Sequence, residues 1–140
     1  MSEPKPIQDY TNTEIGETVR TIVAESLGKK LDDVKLDSIL MGDLGAESLD
    51  FLDIVFRLER DFGIEITRGE MERASRGDMS PEEFAPSGVI SDAGLARLKD
   101  LMPEAADRIQ PGLRPSTILS LFSVQTFANM VIGKRDGRTA

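Results

Sequence analysis

The sequence contains no cysteine and no histidine, and these two absences remove most of the common reaction chemistries. Without cysteine, the chain can form no disulfide, supply no thiolate nucleophile and hold no iron–sulfur cluster. Without histidine, it lacks the most frequent general base, the Ser-His-Asp triad and the zinc sites that depend on Cys or His. An enzyme of this sequence would have to work with carboxylates, lysine, tyrosine or serine alone, which disfavours most hydrolase and redox classes.

Aromatic and basic residues are also scarce. The 140 residues include six Phe, one Tyr and no Trp, and 17 Lys and Arg stand against 25 Asp and Glu, for a formal net charge of −8. This length fits one domain, with room for an insertion or tails. The acidic balance argues against binding to nucleic acid or to anionic membranes, and it favours partners with basic surfaces.

Long apolar runs and targeting signals are missing from the sequence as well. No apolar run is long enough to cross a bilayer, and the first six residues lack the apolar core of a secretory signal. We therefore expect a cytoplasmic protein without membrane insertion.

Helix signals are strong, whereas no convincing strand pattern exists beyond one short stretch at 64–66, so the predicted class is all-α. Thr11 begins the pattern of a capping box, and the apolar face behind it ends at Gly28, which predicts a helix over 12–27. The strongest helix is predicted over 48–62. Because its apolar residues extend around much of its circumference, it either is central to the core or offers an apolar face to partners. Further helices are predicted over 68–75, after Ser80, after Ser91, and from Ser123 to Gly133. A short turn is predicted from Pro103 to Ile109.

Two segments connect these helices without a sustained apolar period. Residues 29–47 carry so many aliphatic side chains that they must be pinned to a core. Residues 76–116 hold five of the seven prolines and are structured, not of low complexity. We expect this second segment to pack against the core, with a role as a lid or docking surface as the alternative. Its aliphatic residues recur at helical spacing: Leu95, Leu98, Leu101 and Met102.

A serine follows a glycine-containing loop at the start of the strongest helix, in the string Asp43-Leu-Gly-Ala-Glu-Ser-Leu-Asp50. The string is not a nucleophile elbow, a calcium loop or a phosphate-binding loop, because the residues that define those motifs are absent. Taken alone, Ser48 is most simply an N-cap. A helix N-terminus also favours phosphate, so Ser48 could instead carry a phosphate ester that an enzyme with a basic surface installs.

The same string resembles the attachment motif D-L-G-x-D-S-L-D of the acyl carrier protein family. The similarity continues over about 11–75 and 117–133, where the helices look like the first, second and last helices of that family. It implies an acyl-carrier-like four-helix bundle with an additional helical insertion at about 76–116. The implied organisation is a flexible lead-in over 1–10, a single carrier domain over 11–133 and a C-terminal tail over 134–140.

The resemblance also implies the chemistry. Ser48 would receive 4′-phosphopantetheine from coenzyme A, and the thiol of that arm would carry an acyl chain as a thioester. The protein would then be a monomeric, non-catalytic carrier with no catalytic residue and no metal site. Its partners would be a phosphopantetheinyl transferase and the acyl-processing enzymes of fatty acid, lipid or polyketide synthesis, such as synthases and acyltransferases.

The acidic second helix looks like the surface that family members present to basic patches on their enzymes. From Asp43 to Ile66 the chain has seven acidic and two basic residues, a net charge of −5. Two departures from the family pattern stand out. Glu47 replaces the usual Asp before the serine, and Arg57 and Arg60 interrupt the acidic helix, which narrows the set of partners. The matched docking positions are Glu47, Leu49, Asp50, Asp53, Phe56 and Glu59.

The residues define the kind of cargo less sharply than they define the attachment site. The helix from Ser48 to Phe56 is similar to that of specialised carriers that handle long or hydroxylated acyl chains for lipid A. Two alternatives stay open: an aminoacyl or peptidyl carrier, and an unmodified helical adaptor that keeps the carrier fold and uses Ser48 as a plain N-cap. The strong acidity of the second helix favours the acyl carrier.

Overall fold

The computed structural model describes residues 6–67 and 79–137. Six α-helices lie within these two ranges: α1 (Asn12–Leu27), α2 (Leu40–Leu44), α3 (Ser48–Phe62), α4 (Pro81–Phe84), α5 (Asp92–Leu101) and α6 (Val124–Arg135). Short 3₁₀-helices cover Ile7–Asp9, Leu31–Asp33, Pro103–Arg108 and Pro115–Leu121. The described residues contain no strand, only an isolated bridge between Ile39 and Ser123, so the predicted all-α class is confirmed. The predicted helix over 68–75 lies outside the described residues.

Three helices, α1, α3 and α6, form the centre of the bundle, and α1 packs against both of the others. The N-terminus of α1 has the predicted capping box, in which the Thr11 hydroxyl accepts a hydrogen bond of 3.1 Å from the N–H of Glu14. The helix ends before Gly28, whose φ of 66° is a conformation that favours glycine. The predicted bounds of α1, and those of α3, are therefore confirmed.

Three phenylalanine rings form the aromatic centre of the core. Phe51 comes from α3, Phe127 from α6 and Phe122 from the segment just before α6, and their ring centroids lie 5.7–6.2 Å apart. Ring pairs of this kind contribute about 0.5–1.5 kcal/mol each beyond the burial of their area. The cluster fixes the buried face of α3 and so decides which of its side chains point outwards.

The connection between α1 and α2 is held to the bundle by long-range hydrogen bonds. The Arg20 guanidinium donates to the carbonyl of Val34 at 2.7 Å and to that of Leu31 at 3.0 Å. At the other end of the connection, the N–H of Leu40 donates to the carbonyl of Phe122 at 3.0 Å. Val34 itself is fully buried. The expectation that this aliphatic connection is pinned to the core is confirmed.

The described part of the insertion, 79–116, is helical and packs on the same core. Ser80 and Ser91 cap α4 and α5 as predicted, each accepting a hydrogen bond of 3.1 Å from the N–H three residues later. The 3₁₀-helix at Pro115–Leu121 then packs against α2. The insertion therefore extends the core of the bundle, and its buried side chains are Phe84, Ile90, Leu95, Leu98, Met102, Ala105 and Ile109.

Two expectations about secondary structure are wrong. Gly133 does not end the last helix, because α6 continues to Arg135, where the guanidinium donates to the carbonyl of Tyr10 at 2.9 Å. The Tyr10 ring in turn packs against Phe62 at 5.0 Å, so a contact distant in sequence holds the final turn. Residues 64–66 form no strand, and the N–H of Ile66 donates to the Glu59 carboxylate at 2.8 Å instead of to a neighbouring strand.

Candidate functional site

The turn before Ser48 is built by the residues of the sequence motif. The Asp43 carboxylate accepts a hydrogen bond of 2.8 Å from the N–H of Ile39, which satisfies a free donor at the start of α2. Leu44 is buried, and Gly45 ends α2 with a φ of 72°, a conformation that glycine adopts without strain. Ala46 is also buried. The short helix α2, the turn at Gly45 and the buried side chains of Leu44 and Ala46 together fix the position of the chain at the start of α3.

Ser48 is the first residue of α3, and Glu47 is the residue that caps the helix. Glu47 has an extended backbone (φ −109°, ψ 168°), and its N–H donates to the Asp50 carboxylate at 2.7 Å. The interpretation of Ser48 as an N-cap is therefore wrong, because the helix begins at Ser48 itself, one residue earlier than that interpretation requires. Ser48 is exposed, and its hydroxyl makes no hydrogen bond within the part of the chain that the structure describes.

This position suits a covalently held phosphate. The Ser48 hydroxyl stands at the N-terminus of a 15-residue helix, where free N–H groups and the helix dipole stabilise negative charge. The adjacent carboxylates of Glu47 and Asp50 would repel a free phosphate ion, so an ester bond is the form of attachment that the site fits. A phosphopantetheine arm held there would supply a terminal thiol for thioester chemistry.

Beyond Ser48, α3 carries an exposed apolar face that consists of Leu49, Leu52 and Phe56. These side chains are 74%, 68% and 62% exposed, whereas the opposite side of the helix is buried. The docking positions predicted from the sequence do not include Leu52. Its spacing, three residues after Leu49 and four before Phe56, places all three on one side of a helix and would have identified it.

Asp53 joins α3 to α1. Its carboxylate accepts hydrogen bonds from the Ser26 hydroxyl at 2.6 Å and from the Arg57 guanidinium at 2.8 Å. The bond from Ser26, followed by that from Arg57, holds the pKa of the Asp53 carboxyl below its usual value. Arg57 also lies 3.7 Å from the Glu25 carboxylate. Asp53 is thus a half-buried bridge between helices, and a cation compensates its charge.

The carboxylates at the other predicted acidic docking positions differ in their hydrogen-bond partners. The Glu59 carboxylate accepts the hydrogen bond from the N–H of Ile66 and so stabilises the chain after α3. Glu47 and Asp50 are engaged only in the cap of α3, and neither forms an ion pair with a cation among the residues described. Five predicted positions, Ser48, Glu47, Leu49, Asp50 and Phe56, thus lie on the outer side of α3 or at its start, whereas Asp53 and Glu59 also make internal bonds.

The insertion reaches the site through Arg108, which sequence reasoning did not identify. Its guanidinium lies so close to the backbone of α2 at Gly42 that a side chain at this position would collide with it. The two residues are far apart in sequence, and no local pattern connects them. The contact brings a basic group of the insertion next to the short helix that precedes Ser48.

Two absences in the described part of the chain concern membranes and metals. None of the helices in 6–67 and 79–137 has the length and apolar character needed to span a membrane. In the same residues, no group of three or more carboxylates is arranged to hold a metal ion.

Comparison with known proteins assigns the family. A family model described as a phosphopantetheine attachment site matches residues 17–80, which include most of α1 and all of α2 and α3. The chain is also 48% identical over 60 residues to an acyl carrier protein of Campylobacter hominis, an alignment that covers 43% of this chain and 76% of the relative. No solved structure matches the chain with comparable significance. The helical bundle, the exposed serine at the head of α3 and these two matches together identify the chain as a member of the acyl carrier protein family, with a carrier role and 4′-phosphopantetheine as its covalent cofactor.

Proposed function

We propose that Ser48 is the attachment point of 4′-phosphopantetheine and that the thiol of this arm carries acyl groups as thioesters. The observation that supports this assignment is the exposed Ser48 hydroxyl, which makes no hydrogen bond within the described residues and stands at the N-terminus of α3 inside the matched segment. The protein acts as a non-catalytic, monomeric and cytoplasmic carrier. It takes part in fatty acid, lipid or polyketide synthesis.

The partners are a phosphopantetheinyl transferase and acyl-processing enzymes with basic docking patches. The exposed apolar face of α3 suits the contact with such enzymes. Its three large side chains are exposed to water and lie on the same helix as the carboxylates of Glu47 and Asp50, which no cation compensates in the described residues. Glu47 and Asp50 attract a basic partner over distance, and Leu49 and Phe56 are then buried in the contact. Asp53 and Glu59 border the same docking face, where the Arg57 guanidinium compensates the charge of Asp53 and the Glu59 carboxylate accepts the hydrogen bond from the N–H of Ile66.

The insertion stabilises the bundle and also influences which partner is accepted. Its buried residues support the first role directly. The second role is supported by the position of Arg108 against Gly42, because this contact lies on the helix that leads to Ser48.

The acyl carrier is favoured over two alternatives. A relative named as an acyl carrier protein, at 48% identity, favours acyl cargo over aminoacyl or peptidyl cargo. In an unmodified adaptor, Ser48 would serve as a plain N-cap. Ser48 is exposed and does not cap α3, and its hydroxyl makes no hydrogen bond in the described part of the chain, which favours the carrier.

Coexpression with a promiscuous phosphopantetheinyl transferase tests the proposal. The intact mass of the wild-type protein is expected to rise by one phosphopantetheinyl group, and that of Ser48→Ala is expected to stay unchanged. Supplying the transferase with acyl-coenzyme A should give an acylated protein from which hydroxylamine releases the acyl group, as it does from a thioester. A wild-type protein that remains unmodified would identify the chain as an adaptor.

A further inference from the structure

The segment that leads into α3 carries negative charge that no cation compensates in the described residues. Asp43, Glu47 and Asp50 all lie in it, and none of the three forms an ion pair there. The nearest basic residues on either side in the chain are Lys35 and Arg57, and the Arg57 guanidinium is already paired within the bundle. A phosphodiester at the start of α3 would add a fourth negative charge, so a cation from elsewhere in the fold would stabilise it.

Tertiary packing brings one such cation to this surface, the Arg108 guanidinium of the insertion. It lies against α2 at Gly42, where a methyl group in place of the glycine hydrogen would be 2.8 Å from Nη2. Arg108 is exposed, and its guanidinium makes no hydrogen bond or ion pair within the part of the chain that the structure describes. The neighbouring Asp43 carboxylate accepts its hydrogen bond from the N–H of Ile39 instead. In the described structure, the guanidinium is therefore held next to α2 without an anionic partner.

Gly42 and Ser48 both lie on the outer side of the turn between α2 and α3. Both are exposed, whereas Leu40 and Ala46 of the same turn are buried. The turn folds back on α2, because the N–H of Ala46 donates to the carbonyl of Leu40 at 2.9 Å. From Ala46 the chain reaches Ser48 in two residues, no more than about 7 Å. Arg108 has a long side chain and gives up no hydrogen bond to the described residues when it turns from Gly42 towards Ser48.

We propose that Arg108 binds the phosphodiester of the 4′-phosphopantetheine arm, so that the insertion supplies the cation of the attachment site. Arginine suits this role because its planar guanidinium donates two parallel hydrogen bonds to the oxygens of a phosphate. The contact joins the insertion to the arm and limits the directions in which the arm can point. Because the phosphate is present only after loading, the contact also distinguishes the loaded carrier from the unloaded one. This inference rests on the proposed function, because it assumes that Ser48 carries the arm.

Phosphorus NMR of the loaded protein tests the contact directly. The phosphodiester resonance is expected to shift between wild type and Arg108→Gln, because the substitution removes the charge beside the phosphate. Arg108→Lys keeps the charge without the planar fork and should give a smaller shift. Arg97→Gln is the matched control, because Arg97 is exposed on α5 and the substitution changes the net charge equally. Its phosphodiester resonance is expected to coincide with that of wild type.

Thermal unfolding separates a contact with the phosphate from simple support of the fold. The unfolding temperature is measured for the loaded and the unloaded form of each protein. Relative to the unloaded form, loading should favour wild type over Arg108→Gln by roughly 1–4 °C, the range of an exposed charge pair in a domain of this size. This difference should shrink at high salt, because the Debye length shortens. Arg97→Gln should respond to loading as wild type does.

Three results would overturn the inference and leave Ser48 as the attachment point. The first is a phosphodiester resonance that is the same in wild type and Arg108→Gln, and the second is an equal shift in Arg97→Gln. The third is an unfolding temperature that Arg108→Gln lowers equally in the loaded and unloaded forms, since the arginine would then only support α2. Intact masses confirm that each protein compared carries the arm. A wild-type protein that no transferase loads would instead overturn the proposed function.

Discussion

The Ser26 hydroxyl donates a hydrogen bond of 2.6 Å to the Asp53 carboxylate, and this bond ties the end of α1 to the middle of α3. Arg57, one turn further along α3, completes the arrangement by donating to the same carboxylate oxygen at 2.8 Å. A carboxylate on the helix that begins at Ser48 thus contributes to the packing of the bundle as well as to its surface charge.

Ser26→Ala should raise the pKa of the Asp53 carboxyl towards its usual value, because the hydrogen bond from Ser26 is the main cause of the lowered pKa. A carboxyl with a lowered pKa in the folded state stabilises the fold above its unfolded pKa of about 4, and this stabilisation is lost as the pH falls through the folded pKa. The stability deficit of Ser26→Ala relative to wild type should therefore be largest near neutral pH and shrink in acid. A carbon-detected NMR titration of Asp53 and urea unfolding at several pH values measure these effects. An unchanged Asp53 titration in Ser26→Ala would contradict the bridge.

Two leucines of contrasting exposure separate docking from stability. Leu98→Ala removes a fully buried side chain of the insertion and should lower the free energy of unfolding by about 2–5 kcal/mol. Leu52→Ala changes a side chain that is 68% exposed and should lower it by less than about 0.5 kcal/mol. Leu52→Ala, but not Leu98→Ala, should raise the KM of the transferase for the carrier. Urea unfolding and loading kinetics provide the two measurements. A Leu98→Ala protein as stable as wild type would show that the insertion is not part of the core.

Gly94 in α5 tests how closely the insertion is packed, and Gly16 in α1 serves as the comparison. A methyl group at Gly94 would lie 2.7 Å from Ile90 and 2.9 Å from Phe84, both buried, so Gly94→Ala should destabilise the protein by about 1–3 kcal/mol through overpacking. A methyl group at Gly16 would lie 3.4 Å from the Leu36 side chain, which it can tolerate. Gly16→Ala should therefore be neutral or stabilising by up to about 1 kcal/mol, the helix-propensity gain. Thermal unfolding decides the prediction, and a stabilised Gly94→Ala protein would refute it.

The acidic start of α3 should make loading of the carrier sensitive to salt. Asp50→Asn keeps an oxygen that can accept the capping hydrogen bond but removes the charge, so it should lower kcat/KM roughly two- to fivefold at low ionic strength. The difference from wild type should fade as salt shortens the Debye length. Glu82→Gln, an exposed carboxylate of α4, is the control and should have little effect at any salt concentration. Equal losses in both variants would argue against docking at α3.

Local signals in the sequence predict much of this fold. Thr11 and Glu14 specify the start of α1, Gly28 and Gly63 end α1 and α3, and Ser91 starts α5, because a cap depends only on residues within one turn. The start of α3 is harder to predict. Both Glu47 and Ser48 have side chains that can accept a capping hydrogen bond, so local sequence signals do not determine which of the two is the N-cap.

Contacts between distant residues explain what the sequence did not predict. The last turn of α6 persists beyond Gly133 because Arg135 reaches Tyr10 at the other end of the chain. The pairing of Asp53 with Ser26 and the position of Arg108 over Gly42 likewise depend on the packing of separate elements. Such contacts follow from the tertiary structure, so neither the internal bonds of Asp53 nor the reach of the insertion could be inferred from spacing alone.

Peptide-level mass spectrometry after coexpression with a phosphopantetheinyl transferase tests the central claim most directly. Ser91→Ala is the matched control for Ser48→Ala, because it removes a true helix cap and should cost about 1 kcal/mol of stability without affecting loading. We predict a single phosphopantetheinyl group on the peptide that contains Ser48 in the wild-type and Ser91→Ala proteins, and none in Ser48→Ala. A modified Ser48→Ala protein, or a wild-type protein that carries the group on another residue, would contradict the account.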